Sequence, residues 1–357
     1  VVAKISLKLK NKSFITVVIS LAFFAIYYFF CFRAQTIISD FVANAVTYGE
    51  KIKGAAYPIY LFACVALGNG KAMAVVTAVV LALFGVMWLL LGRSFLKIAT
   101  SSGKTERRMY RETRTQRKSI GAALLGKEFA RFLSSPNYML NCGLGVLLLP
   151  ISGIVLLIKG RDLMPMLAMA FDNQPGSAAV LLCTAVCVVA SMNDMAAPSI
   201  SLEGKNLWLL QSLPLKPWQA LRAKLSVQLL LTSIPALFAS ACAAIAGGLS
   251  AVETLLTLLV PQAVILMMAL LNLTVGLKMP NLTWTSEIVP IKQSASVMIG
   301  LLGGMIYGIL PIAGFLMFGH RMGANAYMAC FMALTLAISV GLYVWLKKKG
   351  GAAFAAL

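Results

Sequence analysis

Few residues in this chain can do chemistry, and their spacing excludes most kinds of it. The single histidine, His320, lies at an outside loop and cannot build a Ser/His or His/Asp pair within a span. Neither HExxH nor GxSxG occurs. The seven cysteines, 31, 64, 142, 183, 187, 242 and 330, form no CxxC and lie in or beside apolar runs. With one histidine they supply no zinc or iron–sulfur ligand set. Cys183 and Cys187, four residues apart, share a helix face and read as packing residues. A phosphate-cradling loop needs GxxxxGK[ST]. Gly103-Lys104-Thr105 comes near, but Ile98 stands where the first glycine should be. Gly68-Asn69-Gly70-Lys71 is followed by Ala72. No catalytic, cofactor-binding or metal-ligating residue is therefore expected, and the chain is not expected to hydrolyse ATP by itself.

The elements that would carry any site are apolar. Of 357 residues, 60% are hydrophobic and 12% charged, with a mean hydropathy of +0.87. Soluble domains have about 25% charged residues. Half that charge cannot coat a soluble surface of this size, so a cytosolic enzyme, a disordered chain and a secreted disulfide scaffold are excluded. Eight apolar stretches approach the 20 or so residues of a membrane span: 14–32, 72–92, 139–158, 176–194, 225–248, 254–277, 294–318 and 325–346. A half-length run, 58–67, reads as an interfacial or re-entrant helix. Backbone in lipid must satisfy its own hydrogen bonds, and the alternating segments of a β-barrel are absent. The expected fold class is all-α, a polytopic helical bundle. No cleavable leader pattern precedes the first span. Val1 is expected to be internal to a longer chain.

The net charge of +20 is a topology signal. With the N-terminus inside, 24 of the 31 Lys+Arg fall in inside segments and 7 outside. Cytoplasmic loops carry such an excess, so both termini are expected to be cytoplasmic. Nucleic acid is not an expected partner; anionic lipid is. The organisation reads as 1–92, a first helix pair with an outside loop. Next comes 93–138, a basic cytoplasmic segment with an amphipathic helix. A six-helix bundle follows at 139–357, with a cytoplasmic coupling segment at 195–224. In the amphipathic helix Leu124, Leu125, Phe129 and Phe132 form the apolar face, while Lys127, Glu128 and Arg131 occupy other positions. Span interiors offer neutral Gln228, Gln262 and Asn272, and the acids Asp194, Glu253 and Glu287 sit at span ends. Proton coupling is not expected. A membrane subunit driven by a separate ATPase fits this pattern.

Three inside stretches carry a resemblance: KEFARFLSSPNYMLN at 127–141, SLEGKNLWLLQSLPLKPWQALRAK at 201–224 and PNLTWTSEIVPIKQS at 280–294. They resemble signatures of the large ABC-2-type permeases of Gram-positive bacteria, the putative ABC exporter family. The first pattern is matched by Ser201, Glu203, Gly204, Trp208, Leu213, Pro214 and Lys224. The second is matched by Trp284, Glu287, Lys292, Gln293 and Ser294. The resemblance implies a cell-membrane permease subunit of an exporter. Its partners would be an ABC ATP-binding subunit, which carries ATP and Mg, and a second permease copy or homologue. Residues 201–214 would form a short helix along the inner leaflet that docks on the ATPase. Glu203 would offer it a charge, Gly204 a close backbone approach and Trp208 an aromatic anchor. The alternatives are a non-transporting membrane anchor or assembly factor, and an ion-coupled secondary transporter.

Overall fold

The computed structural model describes residues 12–43, 57–100, 118–170 and 174–357. Most of the basic half of 93–138, with its Gly103-Lys104-Thr105 near miss, lies outside the described residues. Among the described residues every regular element is a helix. They are α1 Lys12–Ala43, α2 Tyr57–Ala66, α3 Gly70–Thr100, α4 Ile120–Ser134, α5 Pro136–Cys142, α6 Leu144–Ala170, α7 Ser177–Ser191, α8 Leu207–Ser212, α9 Pro217–Gly247, α10 Ala251–Lys278, α11 Ala295–Met322, α12 Ala324–Trp345 and α13 Gly351–Ala355.

The chain forms two compact units, residues 20–116 and residues 1–19 with 117–357. The first contains most of α1, together with α2 packed on α3. Phe23, Phe24, Val79, Leu83 and Trp88 are exposed. Apolar surface this continuous needs lipid around it. The half-length run at 58–67 is α2, ten residues long.

The second unit contains the bundle, and amphipathic helix α4 packs within it against α9. Local sequence sets several boundaries. Ser119 caps α4 by accepting from Ala122 N, and Ser135 caps α5 in turn. Ser250 and Glu253 form a reciprocal capping box on α10. Small residues bring the helices close, as expected where lipid supplies no hydrophobic drive between them. A Cβ on Gly153 of α6 would meet Ala239 and Cys242 of α9 at 3.1–3.3 Å. One on Gly308 of α11 would press on Cys187 and Val188 of α7.

Of the eight expected spans, the structure forms the third as a bent helix pair and the fourth as a short helix. Among the described residues, six helices are long and apolar enough to cross a membrane: 15–34, 70–92, 217–247, 251–278, 295–319 and 324–355. The third stretch is a bent pair, α5 and α6, turning by 54° at Gly143. The fourth is short: α7 has 15 residues, about 22 Å at the α-helical rise. The helix stops at Ser191, and 192–200 continues as turns that are buried from Asn193 onward. Irregular backbone at such depth is tolerated where protein, not lipid, surrounds it.

Four apolar clusters fill the bundle among the described residues. Leu124, Ile200, Leu221, Leu273, Leu277, Leu346 and Phe354 pack at one end. Cys183, Val260, Val264, Phe315, Tyr327 and Met328 pack farther along the helices. Lys278 at that first end lies 4.9 Å from the Trp345 ring, with Lys347, Lys348 and Lys349 beyond it.

Candidate functional site

Beneath the 201–214 segment, three separate stretches of chain deliver five charged side chains to one point. α4 supplies Lys127, Glu128 and Arg131. The 3₁₀ turn Ser201–Asn206 supplies Glu203. The second turn of α9 supplies Lys224. Lys224 Nζ donates to Glu203 Oε1 at 2.7 Å, Glu128 Oε1 at 2.9 Å and the Ser199 carbonyl at 2.9 Å. All three ammonium protons are used, and the side chain is fully buried. Arg131 Nη2 lies 2.6 Å from Glu203 Oε2, and Lys127 Nζ 2.9 Å from Glu203 Oε1. Lys127 is the outermost member, with 40% of its side chain exposed.

The electrostatics follow from this geometry. Burial alone would raise the Glu203 pKa, but Lys224 and Arg131 outweigh it and hold the carboxyl well below the usual carboxylate range. Burial would lower the Arg131 pKa, yet the Glu203 and Glu128 carboxylates hold it above its ordinary value. Three cations face two carboxylates, leaving one excess positive charge at the rim.

The two sequence signatures meet here. Trp284 Nε1 donates to the Ser201 carbonyl, and Asn281 N donates to Ser201 Oγ at 3.0 Å. Gly204 has φ +53° and ψ −137°. A Cβ there would lie 3.2 Å from three atoms of the Trp284 indole. Only glycine suits both that backbone and that contact. Glu287 Oε2 accepts from Ser135 Oγ at 3.0 Å, tying the second signature to the α4–α5 break. Lys292 and Gln293 are exposed and Ser294 is buried, capping α11.

Of the residues matching the first signature, Ser201, Glu203, Gly204 and Lys224 lie inside the fold. All four are buried, and the Glu203 charge is engaged within the chain. On α4, Glu128 and Arg131 turn inward to meet Lys224 and Glu203. The surface that remains is α8 and the turn after it. Leu207 and Leu210 point into the core, while Trp208 is 61% exposed and Leu209 and Leu213 each 49%. Pro214 is exposed beside them.

Asp194, read from sequence as a span-end acid, is buried. Among the described residues no group of three or more His, Cys, Asp or Glu stands together as a metal site. One signal in the sequence could have revealed the cluster. Leu124, Glu128 and Phe132 recur every fourth residue, and all three are buried. A carboxylate inside an apolar stripe must either meet a buried cation or give up its charge.

No curated protein and no solved structure matches the chain. A family model described as a membrane protein of 12 TMs matches residues 3–344. Match and helical architecture agree, and the chain belongs to this family of multi-span integral membrane proteins.

Proposed function

We propose that this chain is the membrane-spanning permease subunit of an ABC exporter in the cell membrane, driven by a separate ATP-binding subunit. The observation that carries the reading is α8. It offers Trp208, Leu209 and Leu213 outward from a base locked to a spanning helix. Leu207 and Leu210 sink into the core. The turn before α8 is tied through Glu203 to Lys224 on α9. A push on Trp208 is therefore passed to α9 by short, charge-assisted contacts, as coupling between subunits requires. The excess of Lys and Arg in the same loops supports a cytoplasmic position for α8 and for both termini of this sequence. ATP and Mg²⁺ would be bound by the partner, and export follows the family resemblance of the 201–224 and 280–294 stretches.

The revised role of Glu203 is internal: it positions the docking helix. The charge offered to the partner is then the net positive rim formed by Lys127 and Arg131, and the anchor is Trp208. Aromatic anchors dominate interface energies, and truncating one costs about 2 kcal/mol or more. Trp208→Ala at matched expression should lower ATPase recovery in a pull-down. Unchanged recovery, with weaker retention of the chain in the membrane, would assign α8 to lipid anchoring.

A further inference from the structure

Two helix interruptions face each other inside the bundle. One is the 54° break at Gly143 between α5 and α6. The other is the non-helical stretch 192–200 after α7. They are stitched together directly. Asp194 N donates to the Cys142 carbonyl at 3.1 Å, and Val146 N donates to Asn193 Oδ1 at 3.1 Å. Interrupted helices in a membrane bundle are where small ligands and ions bind, because backbone and side chains there can rearrange without unwinding a span.

The backbone of this junction is largely satisfied by dedicated partners. Gln228 on α9 accepts from Ala196 N and donates to the Asn193 carbonyl, both at 2.8 Å. Tyr138 donates to the Met195 carbonyl, and Lys224 donates to that of Ser199. What remains is the Asp194 side chain. It is 1% exposed, neither carboxyl oxygen has a hydrogen-bond partner of good geometry, and the neighbouring polar hydrogen is that of the Cys142 thiol, a weak donor. Among the described residues no basic group makes an ion pair with it.

Glu128 and Glu203 form the contrast. They are buried to a similar degree, and each is met by Lys224 and Arg131. Where this fold holds a buried carboxylate as an anion, it supplies cations; at Asp194 it supplies none. The ionisable groups on the elements around Asp194 include Tyr138 and Cys142 on α5, Cys183 and Cys187 on α7, Arg222, Lys224 and Cys242 on α9, and Glu287 and Lys292 in the segment before α11. Lys224 is saturated by Glu128, Glu203 and Ser199, while Glu287 and Lys292 are exposed. The acidic and basic residues of α10 and α11 stand near their ends, Glu253, Lys278, His320 and Arg321, and the mid-helix Tyr307 is engaged by Thr335 at 2.8 Å. An unpaired carboxylate in such a place is strongly disfavoured against the neutral acid.

We infer that Asp194 is a proton-binding site, its neutral carboxyl group closing the junction between the two helix interruptions. Release of the proton leaves a bare charge between α5–α6 and 192–200, and the junction must open to water or a cation. This inference is independent of the permease reading, since it concerns ligand occupancy of this chain alone.

The test is infrared spectroscopy of the purified chain in lipid nanodiscs at neutral pH. The expected result is the carbonyl stretch of a protonated carboxylic acid. It should shift in heavy water and on labelling with ¹³C-aspartate, and vanish as pH is raised. Asp194→Asn, isosteric with the neutral acid, should lack the band while melting at the wild-type temperature. The label reads the wild-type chain directly, so a poorly folding variant leaves the test intact. Absence of a ¹³C-aspartate-sensitive band, or its persistence in Asp194→Asn, overturns the inference. So does sodium-dependent stabilisation without the band, which assigns the carboxylate to a cation.

Discussion

The Lys224 ammonium stands 2.7 Å from the Glu203 carboxylate, joining the start of a spanning helix to the segment 21 residues before it. Neither group reaches solvent, so each depends on the other for its charge. Breaking a buried pair from one side leaves an uncompensated ion and costs roughly 3–5 kcal/mol. Lys224→Met should therefore lower the melting temperature or abolish folded yield. Glu203→Gln added to Lys224→Met should recover part of the loss, a coupling that a double-mutant cycle reads directly. Strict additivity of the two changes would contradict the pairing.

The same pair gives the protein an acid-labile element. The Glu203 pKa is depressed in the folded state by Lys224 and Arg131, against the opposing effect of burial. In the unfolded chain it lies at about 4.3, the ordinary value for glutamate. Its contribution is present above about pH 4 and lost as pH falls below that, because the unfolded state then binds more protons. Thermal unfolding in detergent should weaken on this acid limb, and Glu203→Gln should flatten it.

Gly204→Ala places a Cβ against the Trp284 indole on a backbone that L residues rarely adopt. The conformational part alone is of order 1–3 kcal/mol. Trp284→Ala should relieve the steric part and leave the conformational part. The Gly204→Ala melting temperature should therefore recover only partly in the double variant.

Topology can be read by labelling. Lys104→Cys and Lys51→Cys, introduced singly after replacing the exposed Cys31 and Cys330, should react with an impermeant maleimide from opposite sides of the membrane. Labelling from the same side would refute the orientation set by the Lys and Arg bias.

The isolated chain should show no nucleotide binding above background, and Lys104→Ala should leave that background unchanged. Measurable ATP binding lost in this variant would show that Gly103-Lys104-Thr105 forms a phosphate loop despite Ile98.

Hydropathy by itself determined that the chain is all-helical and crosses a membrane. The reason is that lipid imposes one requirement on every spanning residue, whatever its neighbours. Helix boundaries at Ser119 and at Ser250-Glu253 were legible because capping is local, resolved within three residues. The charge cluster was not. Glu128 and Lys224 are 96 residues apart, and helical periodicity assigns each to a face without saying what that face meets. Lys127, Glu128 and Arg131 have the composition of a solvated face. Packing α4 on α9 turned Glu128 inward and made Lys224 its partner. Likewise the sequence placed Asp194 at the end of an apolar run, where water would be expected. Only the tertiary structure ended α7 early and buried Asp194 behind Gly143, because burial belongs to what packs around a residue and not to the residue itself.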